Sequence, residues 1–310
     1  VTESTPQPQT PDRTPTQPAG DVEAEGAQSL PTLLGAADIR RLAEKAGVRP
    51  TKTRGQNFVI DPNTIRRIVS GAHLEPDEHV LEVGPGLGSL SLGLLDAAGS
   101  LTAVEIEDSF ASQLPSTVEE YRPGAVDRLS VIHSDALKVD AVPGDPTALV
   151  ANLPYNVAVP VLLHLLERVP SLRHGLVMVQ DEVADRLVAG PGSRTYGVPS
   201  VKLAWWARAH KAGIIGKNVF WPAPQIHSGL VFFEKRQDPW PLQQRKDVFA
   251  VVDAAFAQRR KTLRAALSGW AGGAPAAEEI LVRAGVDPKA RGEALSVEDF
   301  VAIAAARAES

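Results

Sequence analysis

Residues 79–97, HVLEVGPGLGSLSLGLLDA, decide the fold. His79–Val83 is short, apolar and rich in branched residues, which fits a buried strand. Gly84-Pro85-Gly86-Leu87-Gly88 follows at once, and Ser89–Ala97 then carries apolar residues in a helical pattern. A strand that turns through glycines directly into a helix is the opening unit of a parallel α/β sheet. The glycines permit both the tight turn and the close approach of backbone to a ligand in the crevice beyond the strand ends.

Working outward, short apolar runs alternate with helical patterns. Strands are expected at Leu101–Ile106, Leu129–His133, Ala148–Leu153 and Gly175–Val179, and helices at Ser109–Glu120, Val157–Val169 and Asp181–Val188. Such alternation implies a mostly parallel, doubly wound sheet covered on both faces. Ala207–Ile215 and Gly229–Phe233 have no long helix between them and suit an antiparallel pair at the sheet edge. After the breaker Asp238-Pro239-Trp240-Pro241, helical patterns cover Asp247–Leu267, Ala276–Ala284 and Val297–Ala306, with a loop at Gly269–Pro275. Upstream, Ala36–Ala46 is helical in pattern and Arg49, Lys52 and Arg54 form a basic stretch. Asp61-Pro62 then has the residues of a helix start. Residues 1–30, rich in Pro, Thr and Gln with few large apolar side chains, read as a disordered tail. The expected organisation is a tail over 1–30, an α/β domain over 31–237 and a small all-helical domain over 238–310.

Composition narrows the chemistry. With no cysteine among 310 residues, disulfides and thiolate-ligated metals are excluded. The scattered histidines form no HxH or HxxxH pair, so no metal is expected. No window has the apolar length of a transmembrane helix, and residues 1–30 lack the apolar core of a secretory signal. The expected setting is therefore cytoplasmic. The net charge of −5 hides an asymmetry: residues 191–270 hold thirteen Lys and Arg against four Asp and Glu. So basic a stretch can track phosphates, although bases also gather on ordinary solvated faces.

Glu105 ends the second strand and can accept both ribose hydroxyls of an adenosine-containing cofactor. Asp135 follows the third strand, where it can accept from an adenine amine. A lone glycine loop can be no more than a tight turn, and a dinucleotide-binding enzyme is a rival. The spacing here is GxGxG, without the third glycine of GxGxxG. Loop, Glu105 and Asp135 on successive strand ends favour S-adenosyl-L-methionine.

Asn152-Leu153-Pro154-Tyr155 ends the fourth strand beside that crevice. The N6 lone pair of adenine is delocalised into the ring, so the amine is a poor nucleophile. Two neutral acceptors, the Asn152 side-chain oxygen and the Leu153 carbonyl, can take both N–H bonds and free the lone pair. Pro154 biases Leu153 to an extended conformation, and Tyr155 offers an aromatic face to an extruded base. Without its context the tetrapeptide would also pass as an ordinary strand-ending turn.

These motifs together resemble the KsgA/RsmA family of ribosomal RNA adenine dimethyltransferases, from about Leu33 to Phe300. Gly55–Asp61 (GQNFVID), Glu82–Ser91 (EVGPGLGSLS), Val104–Glu107 (VEIE), Ser134–Ala136 and Ala151–Asn156 (ANLPYN) match in order. Gln180–Gly190 (QDEVADRLVAG), Tyr196-Gly197, Phe220–Leu230 (FWPAPQIHSGL) and Phe256–Leu263 (FAQRRKTL) follow. The resemblance implies a Rossmann-like class I methyltransferase sheet with a small C-terminal helical domain. It further implies N6,N6-dimethylation of two adjacent adenosines in the 3′-terminal hairpin loop of 16S rRNA, in a nearly assembled 30S subunit. It implies cofactor contacts by Asn57, Val59, Gly84, Gly86, Glu105, Asp135 and Asn152, and catalysis by Asn152, Leu153 and Tyr155. Arg54, Arg259, Arg260 and Lys261 would face RNA, and the protein would act as a monomer. His227 and Ala265 depart from the acid and the Asn usual at those family positions. Two further readings stay open: an Erm-type enzyme acting on large-subunit RNA, and a binding protein that keeps the fold.

Overall fold

The computed structural model describes residues 1–2, 32–48, 57–238 and 240–308. The basic stretch with Arg49, Lys52 and Arg54, and nearly all of the N-terminal tail, lie outside the described residues. Thr32–Ser310 forms one compact unit.

Nine strands are described: β1 Phe58–Val59, β2 His79–Val83, β3 Ser100–Glu105, β4 Leu129–His133, β5 Ala148–Asn152, β6 His174–Gln180, β7 Ala207–Ile215, β8 Phe220–Trp221 and β9 Ser228–Lys235. Seven make one sheet in the order β4-β3-β2-β5-β6-β9-β7. The five strands from β4 to β6 run parallel. β9 is antiparallel to β6 and β7 antiparallel to β9, as expected for the late pair. The chain steps from β2 outward to β3 and β4, then returns to lay β5 on the other side of β2. The carboxyl ends of β2 and β5 thus meet at the point where strand order reverses, which is where open α/β sheets bind ligands. A separate two-stranded ribbon pairs β1 with β8.

Strand alternation explains why both faces are covered. Leu81, Val83, Leu149, Ala151, Val177 and Val179 point into one buried cluster, and Val80, Ala148, Val150, Leu176 and Met178 into the other. The first cluster also takes Val251, Leu281, Phe300 and Ile303 from the C-terminal helices. The helices after residue 240 therefore share a core with one face of the sheet.

Two helical expectations are corrected. The pattern over 247–267 is not one helix: Arg245–Ala257 ends at Gln258, and short helices Leu263–Ala266 and Ser268–Ala271 follow. The Leu263 and Arg264 amides donate instead to the Ala290 and Pro288 carbonyls, at 2.8 and 3.1 Å. Leu263 and Leu267 still enter the same core, so the apolar spacing runs on across a broken backbone. The last of these short helices, with the start of Ala274–Arg283, also occupies much of the expected loop at 269–275. Conversely, Val198–Trp206 is a helix that periodicity does not announce. Val201, Leu203, Trp205 and Trp206 are buried around much of its circumference, leaving little amphipathic contrast. Its start is legible afterwards: the Gly197 amide donates to Ser200 Oγ at 3.0 Å, and Pro199 sits in the first turn.

Candidate active site

The glycine loop is shaped by positive backbone angles. Gly84 has φ 69° and Gly86 φ 54°, values that L side chains rarely adopt. A Cβ on Gly86 would stand 2.8 Å from the Phe58 ring. The Gly84 amide donates to the Val104 carbonyl at 2.9 Å, which closes the loop onto β3. The helix Ser89–Ala97 starts from Gly88, and Ser89 Oγ donates to the Val59 carbonyl at 2.9 Å. Val59 thereby fastens the β1–β8 ribbon over the cofactor loop, and Phe58 packs edge-on against Phe110, ring centres 5.6 Å apart.

Glu105 is buried at the end of β3. Its Oε2 accepts the Gly86 amide at 3.1 Å, and its Oε1 accepts the Ile106 and Glu107 amides at 2.9 and 3.0 Å. Burial pushes its carboxyl above the usual range, and these three amides partly offset that. Oε1 thus already accepts two bonds, and Oε2 keeps one acceptor site for a hydroxyl. Asp135 stands at the next strand end, where its Oδ1 accepts the Leu137 amide at 3.0 Å and caps the turn Ala136–Lys138.

One cleft brings together Asn57, Phe58, Gly84, Gly86, Glu105 and Asn152–Tyr155, with Ile106, Glu107 and Phe110. Val59 and Asp135 are not among its lining residues. Asn152 Nδ2 donates to the Asn57 carbonyl at 3.2 Å, which leaves Oδ1 as the acceptor end of the amide. The Leu153 amide continues the ladder to the Met178 carbonyl at 3.0 Å, and its side chain is buried. The Tyr155 hydroxyl bonds Ser228 Oγ at 2.8 Å. Burial raises its pKa, so it stays a neutral phenol.

The sequence does not announce three features, one in this wall and two behind it. Ile106 is 62% exposed although apolar, directly after the strand-ending acid. That position could have been read as a platform for a flat ligand. Ser228 lies within the FWPAPQIHSGL stretch, where nothing in the sequence marks it as the partner of Tyr155. Glu82 is buried, accepts from Ser91 Oγ at 2.6 Å, and is pushed up to about 8 by burial and by the nearby Glu105. At neutral pH it is therefore mostly a neutral acid, a consequence of burial that residue type alone does not reveal.

The basic residues lie apart, after the helix Arg245–Ala257. Arg260 and Lys261 are exposed, as is His227, while Arg259 is partly covered. Ala265 is exposed within the short helix Leu263–Ala266. Among the described residues no cluster of His, Asp or Glu could hold a metal ion, and no helix is long and apolar enough to cross a membrane.

The family profile described as ribosomal RNA adenine dimethylase matches residues 49–309. The chain belongs to that family. Among curated relatives, the ribosomal RNA small subunit methyltransferase A of Arthrobacter sp. (strain FB24) is 65% identical over 286 residues, covering 92% of this chain and 97% of the relative. The protein of the same name from Paenarthrobacter aurescens (strain TC1) is 67% identical over 275 residues, covering 89% and 94%. Among solved structures, a dimethyladenosine transferase from Plasmodium falciparum superposes with TM-score 0.65 at 21% identity, covering 78% of this chain and 94% of that one. The 23S rRNA methyltransferase ErmE does so with TM-score 0.61 at 24% identity, covering 82% and 100%. These two likenesses establish the class I methyltransferase fold. The chain is an rRNA adenine dimethyltransferase, and its methyl donor is S-adenosyl-L-methionine. The residues of the cleft suit that cofactor: two glycines at positive φ, a buried carboxylate with spare acceptor capacity and an exposed apolar platform.

Proposed function

We propose that this chain transfers two methyl groups to N6 of each of two adjacent adenosines in the 3′-terminal hairpin loop of 16S rRNA, within the 30S subunit. It would act as a cytoplasmic monomer during ribosome assembly. The observation that carries the reading is the meeting of Asn152-Leu153-Pro154-Tyr155 with Gly84–Gly88 across neighbouring strand ends. The names of the relatives point to the small subunit as substrate.

When bound, S-adenosyl-L-methionine supplies an electrophilic methyl group. The chain supplies placement. Gly84 and Gly86 admit the ligand close to the backbone, Glu105 accepts a ribose hydroxyl, and Ile106 supports the cofactor's adenine, with Asp135 accepting from its amine. Asn57 completes the cofactor wall, and Val59 holds the ribbon beside it through Ser89. Asn152 Oδ1 and the Leu153 carbonyl accept the two N6–H bonds of the target, drawing the nitrogen toward tetrahedral geometry. Both acceptors are neutral and fixed, so the gain comes from preorganised dipoles and in-line positioning. Tyr155, held by Ser228, stacks on the extruded base. The amine sheds its proton to water after transfer, so no base with a tuned pKa is required.

The helices over 240–308 form the RNA-binding part in this reading, with Arg54, Arg260 and Lys261 on phosphates. The Erm-type alternative shares fold and catalytic turn. Methyl transfer from labelled S-adenosyl-L-methionine to undermodified 30S against 50S particles separates the two. We expect 30S to be labelled and 50S not; the reverse would overturn the substrate assignment.

A further inference from the structure

Arg259, Arg260 and Lys261 are consecutive in sequence but are held in different ways. Arg259 turns back into the protein. Its Nε donates to Glu293 Oε2 at 3.0 Å, its Nη1 to the Tyr196 carbonyl at 2.7 Å and its Nη2 to the Arg194 carbonyl at 2.8 Å. Three of its five N–H donors thus go to protein acceptors, although 39% of the side chain stays accessible. Arg260 and Lys261 are exposed.

The Arg259 bonds belong to a larger fastening. The Gly192 amide donates to the Glu293 carbonyl at 2.7 Å. The buried Tyr196 hydroxyl donates to the Leu295 carbonyl at 2.6 Å, and its ring lies edge-on to Phe256 with centres 5.9 Å apart. Burial, aided by Asp299 and Glu298, raises the pKa of that hydroxyl, which keeps it a donor. The segment 188–197, between helices Asp181–Leu187 and Val198–Trp206, is therefore tied at several points to residues 292–295 and the end of helix Arg245–Ala257.

The helix that leads into that segment starts at the base-binding wall. Helix Asp181–Leu187 begins one residue after Gln180, and Gln180 pairs in register with Ser228, whose hydroxyl holds Tyr155. The Asp181 amide also donates to the His227 carbonyl at 3.0 Å.

We propose that Arg259 is a positioning residue: paired with Glu293, it fixes the segment 188–197 and through it the helix Asp181–Leu187 that starts at the Tyr155 wall, and phosphate binding falls to Arg260 and Lys261. The inference rests on the RNA methyltransferase reading above. Two physical points favour it. A planar guanidinium can hold a carboxylate and two carbonyls at once, which a lysine ammonium at that position would not reproduce. A phosphate brought to Arg259 would also meet the Glu293 carboxylate.

The test uses the full chain and undermodified 30S particles. Particle affinity is measured across a salt series for Arg259→Ala, Arg259→Lys, Glu293→Gln, Arg260→Ala and Lys261→Ala. Single-turnover transfer and tryptic cleavage after Arg194 without RNA are measured for the first three. Removing a cation that neutralises one phosphate lowers the log–log salt slope by about one, and this is expected of Arg260→Ala and Lys261→Ala. Arg259→Ala is expected to keep the wild-type slope, slow single-turnover transfer about tenfold, and hasten cleavage after Arg194 about tenfold. That change corresponds to about 1.4 kcal/mol, close to the lower bound for a hydrogen bond to a charged group. Arg259→Lys should not restore either property, and Glu293→Gln should shift both the same way by less. The proposal is overturned if Arg259→Ala lowers the slope by about one while cleavage and rate hold, or if Glu293→Gln tightens particle binding. Should Arg260→Ala and Lys261→Ala both leave the slope unchanged, the RNA assignment of the helices fails. The cleavage assay still judges the Arg259 clamp by itself. If Arg259→Ala does not fold, Glu293→Gln carries the same test.

Discussion

Glu105 and Arg260 are both charged side chains assigned to polar ligands, yet their surroundings are opposite. Glu105 is buried at a strand end and held by three main-chain amides. Arg260 stands exposed after a helix end. The carboxyl edge of the sheet is a preorganised site whose geometry is set before any ligand arrives. In the proposed reading the helical face acts through field and reach. Substitutions at the edge should therefore cost rate or cofactor affinity at any ionic strength, whereas those at Arg260 or Lys261 should cost particle affinity in a salt-dependent way.

The largest effect is expected from Asn152→Ala. Removing one preorganised polar group costs about 100- to 1000-fold in rate at comparable sites. Single-turnover transfer should fall by that order while particle binding persists. Transfer at the wild-type rate would remove the edge's claim to the chemistry.

Gly86→Ala comes next. Its φ of 54° and the Phe58 ring at 2.8 Å both oppose a Cβ. Strain of about 1–2 kcal/mol should weaken S-adenosyl-L-methionine binding roughly tenfold in calorimetry and leave the particle salt slope unchanged. A lower slope instead would mean that the two regions are not separable.

A third prediction concerns pH. The folded Glu82 carboxyl titrates at about 8, above its unfolded value. Its stabilising contribution is therefore complete below the usual carboxylate range and is lost as pH rises toward about 8. Melting temperature of the ligand-free protein should fall across that window, and Glu82→Gln should flatten the fall. An unchanged profile would show that Glu82 does not carry the proton.

The smallest effect is expected from Tyr155→Phe. The ring remains and only the hydroxyl's bond to Ser228 disappears, so transfer should slow no more than a few-fold, whereas Tyr155→Ala removes the stacking face and should cost far more. Equal losses in the two variants would shift the role from ring to hydroxyl.

The two regions also differed in how much of them could be read in advance. The strands before and after the glycine loop lie within a residue or two of their expected bounds, because burial on both faces demands short apolar runs and few other elements supply them. Gly84, Gly86, Glu105 and Asn152–Tyr155 were legible for a related reason: each sits at a strand end, and strand order alone brings them together. Asp135 and Val59 were expected in the same site, yet neither lines the cleft. Asp135 is occupied in part by capping its own turn, and Val59 uses its carbonyl to hold Ser89.

The helical region was harder because its contacts are long-range. Nothing in FAQRRKTL reveals that the amides of Leu263 and Arg264 will turn to residues 288–290, or that Arg259 will find Glu293. Residue type predicted three equivalent cations, and tertiary contacts made one of them different. Ile106 and Ser228 were missed for the same reason, since each matters through what lies opposite it in the fold.

The central claim is double methylation at adenine N6 in small-subunit RNA. Its most direct test is mapping of modified nucleosides after the protein and S-adenosyl-L-methionine are incubated with undermodified 30S particles. The expected result is N6,N6-dimethyladenosine at two adjacent positions of the 3′-terminal hairpin loop of 16S rRNA and nowhere else. Methyl groups on large-subunit RNA, or at a position other than adenine N6, would contradict the account.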